Sequence, residues 1–115
     1  MQRNFRLTRS TDFKRVRRNG KSYAHPLLVL IAIESEKNLS TTRVGVAAGK
    51  SVGNAVKRNR AKRLIRAAAQ DLYPQIKSGY DLVLIARAPI IQVKMPVVCT
   101  ALQELLLRAS LHKNV

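Results

Sequence analysis

Residues 52–72, VGNAVKRNRAKRLIRAAAQDL, have the pattern of a helix with two different faces. At about 100° per residue, the apolar side chains lie on one side of this helix and most of the cations on the other. The apolar side contains Ala61, Leu64, Ile65, Ala68 and Leu72. The basic side contains Arg58, Lys62, Arg63 and Arg66. The segment therefore predicts a long helix that packs on a core and leaves a basic ridge outside.

Apolar segments on both sides of this helix are typical of β-strands. Residues 43–49 (RVGVAAG) precede the helix, and residues 80–86 (YDLVLIA) follow it. Residues 21–35 predict a short strand, a break at Pro26 and a longer strand at about 27–34. In the strand at 43–49, the small residues Gly45 and Ala47 leave room for another element to approach closely.

Two further helices are predicted near the ends of the chain. Residues 10–20 (STDFKRVRRNG) predict a short helix with Ser10 as its N-cap and a stop at Asn19-Gly20. Pro96 suits the first turn of a last helix that runs to about residue 112. The apolar stripe of that helix is Val98, Leu102, Leu105, Leu106 and Ala109. The order helix, strand, strand, strand, helix, strand, helix predicts a single α+β domain over residues 1–115, with helices packed on a small mixed sheet.

The charge of the chain points to a polyanionic partner. It carries 22 Lys and Arg against 6 Asp and Glu, a formal net charge of +16, and such self-repulsion is relieved by a polyanion. An anionic membrane is the weaker candidate, because the longest apolar run, residues 26–33, is far too short to span a bilayer. The basic N-terminus is not followed by the apolar segment of a signal peptide, which predicts a cytoplasmic location.

The basic ridge is the sharpest local signal for such a partner. Six of the ten residues at 57–66 are Lys or Arg, and Asp71 is the only acid between Glu36 and Asp81. Like charges one turn apart destabilise a helix mildly, and few acids are available to pair with these cations. The basic side of the helix therefore favours contact with a polyanion over simple solvation. Charge alone does not choose between RNA and DNA, and no zinc-ligand spacing or helix-turn-helix pattern is present.

At residues 52–66 the sequence resembles the signature of the protein subunit of bacterial ribonuclease P. That signature is an Ala, an Arg-Asn-Arg after two further residues, and a Lys-Arg before an aliphatic helix. The matching residues are Ala55, Arg58, Asn59, Arg60, Lys62 and Arg63. Residues 6–20, 43–50 and 80–89 also resemble the family, so the likeness covers nearly the whole chain.

The resemblance implies a fold, a function and a division of labour. The family fold is an αβββαβα sandwich with a left-handed βαβ crossover. The RNA subunit of the ribonucleoprotein holds the catalytic Mg²⁺, so no catalytic or metal-binding residue is expected in the protein. The protein binds that RNA, one copy to one, together with the single-stranded 5′ leader of precursor tRNA. It thereby supports endonucleolytic removal of the leader, a hydrolase activity.

The resemblance also implies two sets of site residues. The expected contacts with the RNA subunit are Arg58, Asn59, Arg60, Lys62, Arg63 and Arg66. The expected contacts with the leader are Phe13, Lys14, Arg17, Arg18, Tyr23 and Lys50, with Arg9 and Arg15 lining the approach. Arginine can fork onto phosphate, and an aromatic ring can stack on a base. For Phe13, core packing with Leu7 and Val16 is an equally good interpretation.

Other groups of residues give weaker evidence for a functional site. GVAAGKS at 45–51 has three residues between its glycines where a phosphate loop needs four. His25 and His112 are too few and too far apart for a metal site. The acids form no clustered pair, and Asp12 and Asp81 are interpreted as a helix cap and a turn residue. Cys99 is expected to be an inert buried thiol. A non-enzymatic RNA chaperone or ribosome-associated protein, and more weakly a DNA-binding protein, remain as alternatives.

Overall fold

The computed structural model describes residues 5–36 and 40–113. The predicted α+β class and the αβββαβα order are confirmed. The elements are α1 (Ser10–Asn19), β1 (Lys21–Ala24), β2 (Leu28–Glu34), β3 (Arg43–Ala48), α2 (Ala55–Leu72), β4 (Tyr80–Ala86) and α3 (Met95–Arg108). Short 3₁₀ turns occupy Lys50–Val52, Tyr73–Gln75 and Ala88–Gln92.

The four strands form one mixed sheet in the order β1-β2-β4-β3. β1 and β2 form an antiparallel hairpin, and β2 also pairs antiparallel with β4. β3 and β4 are parallel neighbours, with Val44 opposite Leu82. Parallel neighbours require a crossover connection, and α2 provides it.

The β3–α2–β4 crossover is left-handed, as the resemblance implied. The Val44 side chain lies in the core that α2 covers. The Val44 carbonyl accepts a hydrogen bond of 3.0 Å from the Leu7 amide, at the outer edge of the sheet, away from β4. For an L-residue, these two directions fix the strand order seen from the helix. Viewed from α2 with β3 pointing up, β4 lies to the left of β3. A connection that passes on the viewer's side of the sheet to a parallel strand on the left is left-handed, which is the rarer hand.

Alternation along the strands divides the interior into two cores. The larger core lies between the sheet and the α2–α3 layer, and it contains Leu30 and Leu84 from the sheet and Ile65 from α2. The smaller core lies on the opposite face, where α1 covers Ile31 and Val83. The second face is therefore only partly covered, and this leaves a sheet surface beside α1.

The helix ends differ from their predicted positions for local reasons. Arg9, not Ser10, is the N-cap of α1, and no side chain caps it. α2 begins at Ala55 rather than near residue 52, because Gly53 has φ 135° and the Asn54 side chain accepts from the Lys57 amide at 3.0 Å. α3 ends at Arg108 rather than near residue 112. Ser110 there has φ 58°, and the Leu111 amide bonds the Leu106 carbonyl.

The predicted core faces of both long helices are confirmed. In α2, the residues Ala61, Ile65, Ala68 and Leu72 are buried, and Leu64 packs at the edge of the core. In α3, the residues Val98, Leu102, Leu105 and Leu106 are buried, and Ala109 is half-buried. Burial on one side of α2 fixes which of its residues remain outside.

Candidate nucleic-acid interface

The outer side of α2 carries the six residues predicted to contact the RNA subunit. Asn59, Arg60, Arg63 and Arg66 are exposed, and Arg58 and Lys62 are half-buried. They lie on the solvent side of α2 because Ala61 and Ile65, on the opposite side of the helix, are fully buried. We call these six residues the α2 ridge. The structure brings all of them together on one surface.

Within the α2 ridge, Arg58 has an incomplete set of hydrogen bonds. Its Nε is buried and has no hydrogen-bond partner among the described residues. A buried donor without an acceptor costs about 1–3 kcal/mol. A phosphate oxygen could accept from this Nε only if the Arg58 side chain moved to expose it.

The α2 ridge extends to the outer edge of β3. Arg66 and Arg6 line one groove there, whose floor includes Val44 and Val46. Arg6 reaches this place because it forms a bridge with Val44, alongside β3. Cations from the N-terminal segment and from α2 therefore meet at the same sheet edge.

On the other sheet face, Phe13 of α1 packs directly over Gly45. A Cβ atom at Gly45 would lie 2.6 Å from the Phe13 Cζ, so only glycine permits this contact. The predicted close approach at Gly45 is confirmed. Phe13 is half-buried against the smaller core that contains Leu7 and Val16. The structure thus shows the core-packing interpretation of Phe13, with part of the ring still exposed.

Beside α1 lies an uncovered row of small and apolar residues. Strand pairing aligns Ala24 with Val29, Val29 with Ile85, and Ile85 with Ala47. Val29, Ala47 and Ile85 are half-buried, whereas Ile31 and Val83 in the next row are buried. We call Ala24, Val29, Ile85 and Ala47 the open shelf. It is wide enough for an extended chain to lie across three or four strands spaced about 4.8 Å apart.

Cations border the open shelf. Arg17 is one turn after Phe13 on the same side of α1 and is exposed, as are Lys14 and Arg18. Lys50 is exposed in the turn Lys50–Val52, just after β3 leaves the shelf. Of the six residues predicted to contact a leader, Phe13, Arg17 and Lys50 therefore lie on or near this side, whereas Lys14 and Arg18 share an outer surface of α1 with Thr11 and Arg15.

Tyr23, the remaining residue predicted to contact the leader, lies on the opposite face of the sheet from the open shelf. Tyr23 pairs with Leu30, so its side chain points to the α2–α3 face and packs against the larger core. Its ring centroid lies 5.7 Å from the Lys21 Nζ. Side chains on a strand alternate between faces, so Ser22 and Ala24, not Tyr23, face the open shelf.

A buried carboxylate lies under α1, and sequence reasoning missed it. Asp81 is fully buried. Arg43 donates to it from Nε at 3.0 Å and from Nη2 at 2.9 Å. Arg15 of α1 donates to the same carboxylate. Asp12 lies 3.5 Å from Arg15, and Glu36 also lies 3.5 Å from Arg15. The interpretations of Asp81 as a turn residue, of Asp12 as a helix cap and of the acids as unclustered are wrong.

The pairing determines the protonation states in this cluster. Burial raises the pKa of the Asp81 carboxyl, but hydrogen bonds from Arg43 and Arg15 lower it more, so the pKa lies below its ordinary value. The hydrogen bond to Asp81 raises the pKa of both arginines, despite some burial. The carboxylate and both guanidinium groups are therefore charged at neutral pH. The signal in the sequence was an acid on the α1-facing side of the apolar strand YDLVLIA.

Other reactive side chains do not assemble into a site. Across residues 5–36 and 40–113, no three His, Cys, Asp or Glu side chains form a group that could hold a metal ion. The clustered acids are paired with arginines and do not fit Mg²⁺. Burial, followed by contact with Asp71, raises the pKa of the Cys99 thiol, which disfavours the nucleophilic thiolate. No helix in these ranges is long and apolar enough to cross a membrane.

Comparison with known proteins connects this geometry to a family. The sequence model of the family described as Ribonuclease P matches residues 1–110. The chain belongs to the ribonuclease P protein family. The ribonuclease P protein component of Oceanobacillus iheyensis is 36% identical over 114 residues, which are 99% of this chain and 93% of that protein. The component of Clostridium novyi is 45% identical over 87 residues, 76% and 77% of the two chains.

Solved ribonuclease P proteins share the fold. The structure of the Staphylococcus aureus RNase P protein superposes with a TM-score of 0.81 at 29% identity. The superposition covers 94% of this chain and 97% of the other. The family resemblance seen in the Arg-Asn-Arg segment therefore extends to the whole fold.

Proposed function

We propose that this protein binds the RNA subunit of ribonuclease P through the α2 ridge and the 5′ leader of precursor tRNA on the open shelf beside α1. One observation carries the proposal: the chain has two basic surfaces on separate elements, and the one on α1 borders a row of small and apolar side chains that runs across all four strands. A folded RNA presents phosphates to a ridge, whereas a single strand needs a surface for its bases as well.

The α2 ridge suits a phosphate backbone. Arg60 and Arg63 are exposed and can each donate two parallel hydrogen bonds to a phosphate. Asn59 lies between Arg58 and Arg60, and it can both donate and accept, so it can join a phosphate or a 2′-hydroxyl to a neighbouring group. None of Arg58, Arg60 and Arg63 has an acidic partner among the ion pairs of the described residues.

The open shelf suits an extended single strand. Val29 and Ile85 provide a flat apolar floor, and the exposed part of the Phe13 ring forms one wall. Arg17 and Lys50 supply positive charge at the borders, where leader phosphates would run. The shelf offers few hydrogen-bonding side chains, so we expect it to hold leaders of many sequences.

The position of β3 explains how one protein can hold both RNAs at once. β3 contributes Ala47 to the open shelf and leads through Lys50 into α2 and its ridge. The two surfaces thus lie on opposite sides of the sheet, and β3 with the turn after it joins them. A leader on the shelf would be held beside the RNA subunit on the ridge.

In this proposal the protein supplies binding and orientation and does not supply the hydrolytic groups. Mg²⁺ would be held mainly by the RNA subunit and the substrate, and there it would activate the attacking water. The described residues position phosphates and bases. We further infer a one-to-one complex with the RNA subunit in the cytoplasm.

Reconstitution tests the proposal. The protein is combined with its cognate RNA subunit, and cleavage of precursor tRNA is compared with and without the protein at low Mg²⁺. We expect the protein to increase specific cleavage at the mature 5′ end and to copurify with one dominant RNA. Copurification with ribosomal RNA, and no effect on cleavage, would favour the ribosome-associated alternative. Preferential binding of duplex DNA over structured RNA would favour the DNA-binding alternative.

A further inference from the structure

Asp81, the buried carboxylate under α1, is bonded to arginines from two different elements. A fully buried carboxylate is very unfavourable unless it is paired and hydrogen-bonded. Asp81 is held from two directions, by Arg43 of the neighbouring strand β3 and by Arg15 of α1. Arg43 and Asp81 belong to one sheet, whereas Arg15 belongs to a separate element. The Arg15 bond is therefore the one that ties α1 to the sheet.

The acids of the chain are concentrated at this place. Three of its six carboxylates, Asp12, Glu36 and Asp81, lie within 4 Å of Arg15 or Arg43. In a chain of net charge +16, this is the main place in the described residues where cations are neutralised. Arg15 is only 18% exposed, unlike Lys14, Arg17 and Arg18 on the same helix. Its charge is committed within the protein.

Geometry relates this cluster to the open shelf. Successive residues of a helix are about 100° apart, so Arg15 is about 200° from both Phe13 and Arg17. Val16, between them, points into the smaller core as the one fully buried side chain of α1. Phe13 and Arg17 are thus on the shelf side of α1, and Arg15 is on the other side. A rotation of α1 about its axis would move both shelf residues and would also break the hydrogen bond from Arg15 to Asp81.

We propose that Asp81 and Arg15 are positioning residues, which fix the rotation of α1 so that Phe13 and Arg17 face the open shelf. Arg15, although it lies in a basic run, does not contact RNA. The effect on leader binding rests on the proposed function, whereas the anchoring of α1 does not depend on it. Two readouts therefore test the inference separately.

The first readout is hydrogen exchange of the α1 amides in the free protein. We expect Arg15→Gln to speed exchange in α1 by about 10-fold or more, because a hydrogen bond between charged groups is lost. Arg18→Gln is the matched control, with the same charge change on the exposed side of the same helix, and it should leave exchange nearly unchanged. Equal exchange in the two variants would overturn the anchoring role.

A double variant extends this test to Asp81. Asp81→Asn alone leaves two arginines without their carboxylate and should also speed α1 exchange. If the pair acts as a unit, Arg15→Gln combined with Asp81→Asn should be much less than additive. Additive effects would overturn the pairing as the cause. Should Asp81→Asn fail to fold, the Arg15 variants alone decide the question.

The second readout is the affinity of the holoenzyme for precursor and mature tRNA. Arg15→Lys keeps the charge but replaces the planar guanidinium, whose Nη2 donates to Asp81, with an ammonium of different shape and reach. We expect this variant to lower the preference for precursor tRNA by about fivefold or more while the salt dependence of binding stays unchanged. Full preference for precursor tRNA in both Arg15→Lys and Arg15→Gln would show that leader binding does not depend on the bond from Arg15 to Asp81, and the positioning role would be wrong. If the wild type shows no such preference, the leader part of both proposals fails, and the exchange result stands alone.

Discussion

Removing the three exposed cations of α1 should weaken binding of the leader in a way that salt reveals. Lys14, Arg17 and Arg18 are exposed; Arg17 lies on the shelf side of α1, and Lys14 and Arg18 lie further round the same helix. Arg15 is excluded, because its guanidinium is committed to Asp81. The variant Lys14→Gln/Arg17→Gln/Arg18→Gln keeps helix-forming side chains and removes three positive charges. We expect precursor tRNA to bind the reconstituted holoenzyme more weakly, and mature tRNA to bind as before.

The size of the effect follows from counterion release. Each phosphate contact on a single strand contributes about −0.7 to the slope of log affinity against log salt. Three lost contacts flatten the slope by about 2. Between 50 and 200 mM salt, the ratio of wild-type to variant affinity should therefore change by about 20-fold. Fewer contacts would give a proportionally smaller change, so the slope counts them.

The assay is equilibrium binding of precursor and mature tRNA across that salt range, with Ca²⁺ in place of Mg²⁺ to slow cleavage. The control is Lys77→Gln/Lys94→Gln/Lys113→Gln, which lowers the net charge by the same three units outside both proposed surfaces. If the α1 variant weakens both tRNAs equally, or the control gives the same slope, the cations of α1 act as a general electrostatic coat. The assignment of the open shelf to the leader would then be wrong.

Further outcomes follow from the other sites. Arg58→Ala and Arg60→Ala should each cost about 1–3 kcal/mol of affinity for the RNA subunit in a filter-binding titration, and Lys94→Ala should cost little. Purified protein with Mg²⁺ but without RNA should leave precursor tRNA intact on a gel, and cleavage at the mature 5′ end would contradict this. Because the folded pKa of Asp81 is depressed, its pairing stabilises the fold above the unfolded carboxyl pKa of about 3.9. This contribution to the free energy of unfolding is lost as the pH falls through the folded pKa. In urea unfolding, the free energy of unfolding should therefore fall less on acidification in Asp81→Asn than in wild type.

The sequence predicted those features that depend on local periodicity. The strand at Tyr80–Ala86 and the buried side of α2 were correct, because a period of two or of 3.6 residues follows directly from backbone geometry. The one-sided ridge of α2 was predictable for the same reason. The end of α3 was not, because it depends on a single residue, Ser110, in the left-handed region.

The errors concern which face of the sheet a residue occupies. Tyr23 was predicted to contact the leader together with Phe13 and Arg17, yet its register opposite Leu30 puts it on the α2–α3 side of the sheet. That register depends on the turn between β1 and β2, where the His25 amide bonds the Leu28 carbonyl. A shift of one residue there reverses every side chain of β1. Asp81 was misjudged similarly, because its partners Arg15 and Arg43 are distant in sequence.

A basic run in a sequence therefore does not equal a basic surface. The run at Lys14–Arg18 contains four cations, but the helix directs them differently: Lys14, Arg17 and Arg18 outward, and Arg15 against a buried carboxylate. Removing Arg15 would lower leader affinity through the position of α1, and removing Arg17 would lower it through lost charge. The two losses differ in their salt dependence, since only the second releases fewer counterions. Salt slopes measured for single variants thus separate residues that touch RNA from residues that position them.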